Sequence, residues 1–121
     1  MANPRVDTQA PSSPAAFDDD PKLAEIVRRL VAALHPERIY LFGSRARGDH
    51  REDSDYDVLV LVDTLPEYIH ALEVTGRGAL WGLAVSTDIV VVTPDYFDRR
   101  TRVVASLPGT VAREGQLLYA A

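Results

Sequence analysis

Three aspartates stand where the apolar pattern places the starts of β-strands. Asp55 and Asp57 lie two apart at the head of the run from Tyr56 to Val62, and Asp88 precedes Ile89-Val90-Val91-Val92. In a strand, residues i and i+2 share a face and lie about 6.6 to 7 Å apart along the backbone, so the first two carboxylates converge on one site. Carboxylates held side by side repel, and near a core they are costly unless a proton or a cation neutralises them. Mg²⁺ suits such a pair, because it takes hard oxygen ligands and prefers one or two carboxylates plus substrate phosphates. Two such ions about 3.5 to 4 Å apart clamp the attacking and leaving oxygens of an in-line displacement at phosphorus. An Asp-X-Asp by itself is equally common in turns and on solvated faces, so the pair does not specify a metal site alone.

A second element lies upstream. Gly43-Ser44 closes an earlier apolar run, Ile39-Tyr40-Leu41-Phe42. A glycine there lets the backbone approach a ligand closely, and a serine hydroxyl can donate to a phosphate. If Arg45 to Gly48 begin a helical turn, Ser44 stands at its positive end. Read in isolation, Gly-Ser is also an ordinary helix cap, the commoner meaning of that dipeptide.

The elements that must position these residues are legible as periodicities. Asp20 as N-cap, Pro21 at the first helical position, and Leu23, Ile26, Val27, Leu30, Val31 and Leu34 at helical spacing predict an amphipathic helix stopped by Pro36. Ile39 to Phe42 has the length and composition of a buried strand. In the run to Val62, Val58, Val60 and Val62 fall on one face and Leu59 and Leu61 on the other, which marks a central strand. A looser stripe of Ile69, Leu72, Gly76, Leu80 and Leu83 predicts a helical segment from about Leu65 to Leu83, weakened by its glycines. A third strand at Ile89 to Val92, a helix near Pro94 to Val104, a Pro-broken turn at Leu107-Pro108-Gly109 and a short strand from Gln116 to Tyr119 complete the chain. Helices interleaved with at least three strands indicate an α/β domain.

Composition bounds the rest. A chain of 121 residues, 46% hydrophobic and 26% charged, is large enough to bury one core. Residues 1–19, rich in Pro, Ala, Ser and Asp without apolar periodicity, read as a disordered lead, leaving 20–121 as the domain. No cysteine is present, so a disulfide framework, a thiolate metal site and a cysteine nucleophile are all excluded. The absence of an apolar signal region or a membrane-spanning run leads to a cytoplasmic reading. Thirteen Lys and Arg against eighteen Asp and Glu give a net charge of -5, which argues against direct binding of a long nucleic acid. A single triphosphate is still compatible, because Mg²⁺ supplies the positive charge the protein lacks.

Taken together, Gly43-Ser44, ten residues, then Asp55-Tyr56-Asp57 and Val58-Leu59-Val60 resemble the DNA polymerase β-like nucleotidyltransferase superfamily, and most closely its minimal nucleotidyltransferase branch. The resemblance is specific over residues 43–60 and looser over 22–119, where the first helix, the Asp88 strand and Arg113-Glu114-Gly115 ahead of Leu117-Leu118-Tyr119 also look like that branch. It implies a small mixed β-sheet flanked by helices and a magnesium-dependent transferase that is ATP-binding. By match, Asp55 and Asp57 would hold two Mg²⁺ ions, and Asp88 would ligate the catalytic one and help activate the acceptor. Gly43 and Ser44 would bind the β and γ phosphates. Arg45 and Arg47 are either phosphate or acceptor contacts or solvated loop charges. Minimal members of the branch are typically antitoxins of HEPN/MNT toxin–antitoxin systems. The resemblance therefore implies AMPylation, with AMP passing from ATP to a tyrosine of a HEPN-domain RNase toxin. Alternatives are an antitoxin that only occludes its toxin, and a transferase acting on a small molecule or RNA.

Other polar or aromatic residues have plainer readings. Asp95 rivals Asp88 but follows Pro94 and looks like a helix-start residue. His50 reads as a solvated loop residue, His35 and His70 as helix-end and helix-surface residues, and Glu52 and Asp53 as loop solvation. Trp81 reads as core or interface packing.

Overall fold

The computed structural model describes residues 20–68 and 70–121. The predicted lead over 1–19 and the stripe residue Ile69 lie outside the described residues. Helix α1 (Pro21–Leu34) starts as its sequence dictates: the Asp20 carboxylate accepts from the Leu23 amide at 3.1 Å, and Pro21 occupies the first turn. His35 ends it in the left-handed region at φ 50°, with its amide donating to the Val31 carbonyl. Leu23, Ile26, Val27, Leu30 and Leu34 form the buried stripe.

Four strands follow, β1 (Arg38–Phe42), β2 (Tyr56–Leu61), β3 (Thr87–Val92) and β4 (Gln116–Ala120), in the spatial order β3-β2-β1-β4. β1 pairs antiparallel with β2 and with β4, whereas β2 and β3 run parallel, so the sheet is mixed. β2 is an interior strand, as its two-faced apolar pattern requires. Val58, Val60 and Val62 pack with α1 residues in the larger core, while Leu59 and Leu61 join Phe97 and Val111 on the opposite face.

The helices α2 (Ser44–Arg47), α3 (Ala71–Ala79), α4 (Pro94–Arg100) and α5 (Leu107–Glu114) depart from sequence expectation in instructive ways. The segment expected as one helix from Leu65 to Leu83 is helical only over α3. Leu65 to Tyr68 run exposed along the surface beyond Pro66, and Gly82 at φ 87° lies in a conformation no helix continues. Gly76, read as a weakness, is buried: a methyl group there would stand 3.2 to 3.4 Å from Ile89, Leu30 and Leu34, so its smallness sets how closely α3 approaches α1 and β3. The turn expected at Leu107-Pro108-Gly109 is instead the first turn of α5. Ser106 caps it by accepting from the Gly109 amide at 3.0 Å, and proline is tolerated where no helical N–H is needed. The helix expected to reach Val104 ends at Arg100. Trp81 is 86% exposed, so it is not part of the core.

Candidate active site

Because β1 is antiparallel to β2 and β3 is parallel to it, the end of β1 and the beginnings of β2 and β3 lie at one edge of the sheet. Asp57 is the register partner of Phe42 on one side and of Asp88 on the other. Neighbouring strands lie about 4.8 Å apart, so register alone sets the Asp57 and Asp88 side chains next to each other on one face. Asp55 precedes β2 with the same parity. Asp57 is half-buried, while Asp55 and Asp88 are exposed.

The preceding turn completes this corner. Gly43 adopts φ 75°, a conformation that favours glycine, and a methyl group on it would collide with Asp57 Oδ2. The glycine thus serves both the turn and the close approach of its backbone to the Asp57 carboxylate. Ser44 opens α2 directly after it, and its carbonyl accepts from Gly48 and Asp49 at 2.9 and 3.1 Å. Gly43, Ser44, Asp55, Asp57 and Asp88 are therefore brought to one corner of the molecule.

Electrostatically the corner is unbalanced. Burial, then the neighbouring charges of Asp88 and Asp55, push the Asp57 carboxyl above its ordinary pKa, and Arg47 opposes them only in part. Among the described residues, no three or more acids and histidines draw together around a single point as in a closed metal cage. Strand register groups the trio against its mutual repulsion, and its side chains do not close on one centre. Its donor set is nonetheless of the right kind for a divalent cation: hard oxygens, crowded, and among the described residues paired with no Lys or Arg side chain.

Residues 21–118 match the nucleotidyltransferase domain family. The chain belongs to that family. Two Methanocaldococcus jannaschii proteins named as protein adenylyltransferases are similar to it. One is 32% identical over 83 residues, covering 69% of this chain and 78% of that protein. The other is 60% identical over 30 residues, 25% of this chain and 30% of that protein. A Sulfolobus solfataricus nucleotidyltransferase structure superposes with a TM-score of 0.58 at 24% identity, covering 88% of this chain and 85% of the other. A toxin–antitoxin structure solved with AMP-PNP gives 0.57 at 23% identity, covering 81% and 73%. These two likenesses establish a shared fold.

Within this nucleotidyltransferase the two arginines after Ser44 part company. Arg47 stays on the carboxylate side, 3.1 Å from Asp49 and 3.5 Å from Glu114 at the end of α5. Arg45 turns to the α1 side of the sheet, where it lies over the Tyr56 ring and bonds the backbone of the Arg45–Ser54 loop. Asp95 is the exposed first-turn acid of α4, paired with Arg99 at 3.1 Å, which leaves Asp88 as the acid facing Asp57. His50 is exposed in the loop, and His70 precedes α3 with Nδ1 2.9 Å from Glu73.

Sequence reasoning passed over Tyr56 and gave Asp20 only a capping role. The signal for Tyr56 was available: it sits between the two motif aspartates with opposite parity, so its ring enters the α1 core, and a buried phenol needs a partner. Its hydroxyl donates to the Asp20 carboxylate, with oxygens at 2.8 and 2.9 Å.

Proposed function

We propose that the chain is the antitoxin half of a toxin–antitoxin pair, transferring AMP from ATP to a tyrosine hydroxyl of a HEPN-domain RNase partner in the presence of Mg²⁺. What chiefly supports this reading is the seating of Asp57 between Asp88 and the Gly43 backbone, beside Ser44. The names of the M. jannaschii relatives and the AMP-PNP-bound toxin–antitoxin neighbour agree with it.

In this reading Gly43 and Ser44 receive the β and γ phosphates, the backbone approaching closely and the hydroxyl donating. Asp55, Asp57 and Asp88 would hold Mg²⁺, which supplies charge neutralisation and in-line alignment when bound. Asp88, exposed on β3 beside Asp57, would accept the proton of the incoming phenol. The phenolate oxygen forms a bond to the α-phosphorus as the bond from that phosphorus to the bridging oxygen breaks. The products are adenylylated tyrosine and pyrophosphate. Arg47, half-exposed beside Asp57, is placed to exchange its contact with Asp49 for a phosphate oxygen. Positioning and electrostatics carry most of such a reaction, so a small domain suffices for the donor half of the site.

The test is to incubate the chain with Mg²⁺, ATP and the product of its neighbouring gene and to weigh both proteins. The partner should gain one adenylyl group, and Asp55→Ala or Asp57→Ala should abolish the gain. No adduct, or an adduct undiminished by either substitution, defeats the proposal.

A further inference from the structure

We propose that Arg45, acting through Tyr56 and the loop carbonyls, is a positioning residue that fixes the distance between the Gly43-Ser44 turn and the Asp55-Asp57 strand start. The inference rests on the reading of those residues as the phosphate and metal sides of one site. Arg45 is joined covalently to Ser44, yet its side chain is committed to the far end of the loop. Nε donates to the Ser54 carbonyl at 3.0 Å, the residue immediately before Asp55, and Nη2 donates to the Glu52 carbonyl at 2.9 Å. The same guanidinium lies 4.0 Å from the centre of the Tyr56 ring, between Asp55 and Asp57 in sequence. One side chain thus spans the two halves of the motif, on the α1 side of the sheet where the Tyr56 ring lies.

The brace is itself anchored. Tyr56 donates to Asp20, Asp20 caps α1 through the Leu23 amide, and Arg45 Nη1 lies 3.8 Å from the same carboxylate. The Arg45 side chain is only 11% exposed, and its Nε bond to the Ser54 carbonyl is partly shielded from water. A planar, forked guanidinium can lie flat on a ring while its edge bonds two carbonyls, a geometry that a tetrahedral ammonium does not reproduce. The arrangement therefore requires arginine rather than any cation.

The experiment compares Arg45→Lys and Tyr56→Phe with the unaltered chain in two measurements. The first is amide hydrogen exchange of residues 49–55 and of β3. Arg45→Lys should speed exchange in 49–55 at least 10-fold and leave β3 within 2-fold, and Tyr56→Phe should do so more weakly. The second is steady-state AMP transfer. Misplacement on the order of 1 Å costs about 100-fold in rate, so Arg45→Lys should lower kcat by 10- to 100-fold with the KM for ATP within 3-fold. Unchanged exchange in 49–55, exchange rising equally in β3, or a loss confined to KM overturns the positioning role. If the unaltered chain transfers no AMP while the exchange pattern appears as expected, the proposed reaction fails and the brace between the turn and the strand start stands.

Discussion

Both ends of the sheet gather carboxylates. At one, Asp55, Asp57 and Asp88 crowd beside Gly43; at the other, Glu37 and Asp63 adjoin Asp98. In each case one acid is pushed above its ordinary pKa, Asp57 by burial and then by Asp88 and Asp55, Glu37 by burial and then by Asp63. The difference is the resident cation. Arg38 sits within the far cluster, with Nη2 3.1 and 3.2 Å from the Asp98 oxygens and Nε 3.6 Å from Glu37. Arg47 at the near end directs its bonds to Asp49 and Glu114 and leaves the trio short of positive charge. A groove of about 510 Å³ lies at the far end, lined by His35, Glu37, Arg38 and Asp63, so open volume does not single out the chemistry. Acids with a counterion built in are architecture. Acids without one, held against a bare glycine backbone, leave room for a cation from outside.

The sharpest way to break this contrast is to remove one acid from each end. Asp57→Asn should lower AMP transfer ~100- to 1,000-fold, the range seen when a charge-stabilising group is deleted, while Asp98→Asn stays within about 2-fold. Equal losses would erase the distinction. Next in size is Gly43→Ala, which forces a methyl group onto Asp57 at a positive φ. It should cost about 1–3 kcal/mol of stability, measured by denaturant unfolding, and about 100-fold in kcat. An active, fully stable variant would remove the glycine cradle from the argument.

A smaller effect concerns pH. A carboxyl raised in the folded state binds its proton more tightly there than in the unfolded chain. Metal-free stability contributed by Asp57 and Glu37 is thus fully present below the ordinary carboxylate range and is lost as pH rises through their raised values. Thermal melts from about pH 4 to 7 should show that decline, and Asp57→Asn and Glu37→Gln should each flatten it. Added Mg²⁺ should offset the loss through Asp57 alone, because proton and metal compete there; an equal effect in Asp57→Asn would contradict this. Smallest of all, Asp98→Ala should lower stability by no more than ~1 kcal/mol in chemical denaturation, as for other exposed ion pairs.

Much of the scaffold was written in local patterns. The Asp20-Pro21 start and apolar stripe of α1, the two-faced β2 and the Asp pair at its head each depend on near neighbours in sequence. Pro108 was misread because proline punctuates both turns and helix starts, and the deciding residue was Ser106 with its cap. The reach of α3 was overread because Leu72, Leu80 and Leu83 keep a helical spacing, although the backbone beyond Ala79 has left the helix. Arg45 and Arg47 occupy like positions in a short motif, and no local pattern distinguishes them. Their destinations depend on which side of the sheet each side chain meets, a property of the assembled fold.

The alternation of side chains along β3 penalises a misaligned pairing with β2. β3 reaches β2 only after the long crossover from Val62 to Ser86, a slow kind of closure in which a slip by one position is an accessible error. A slip by one position would exchange the faces of β3 and turn Asp88 toward the core side that Ile89 and Val91 occupy, leaving a charge in hydrocarbon at a cost of several kcal/mol. The carboxylate that the proposed reaction uses would thus also penalise misalignment, so that correct pairing and assembly of the proposed site would coincide.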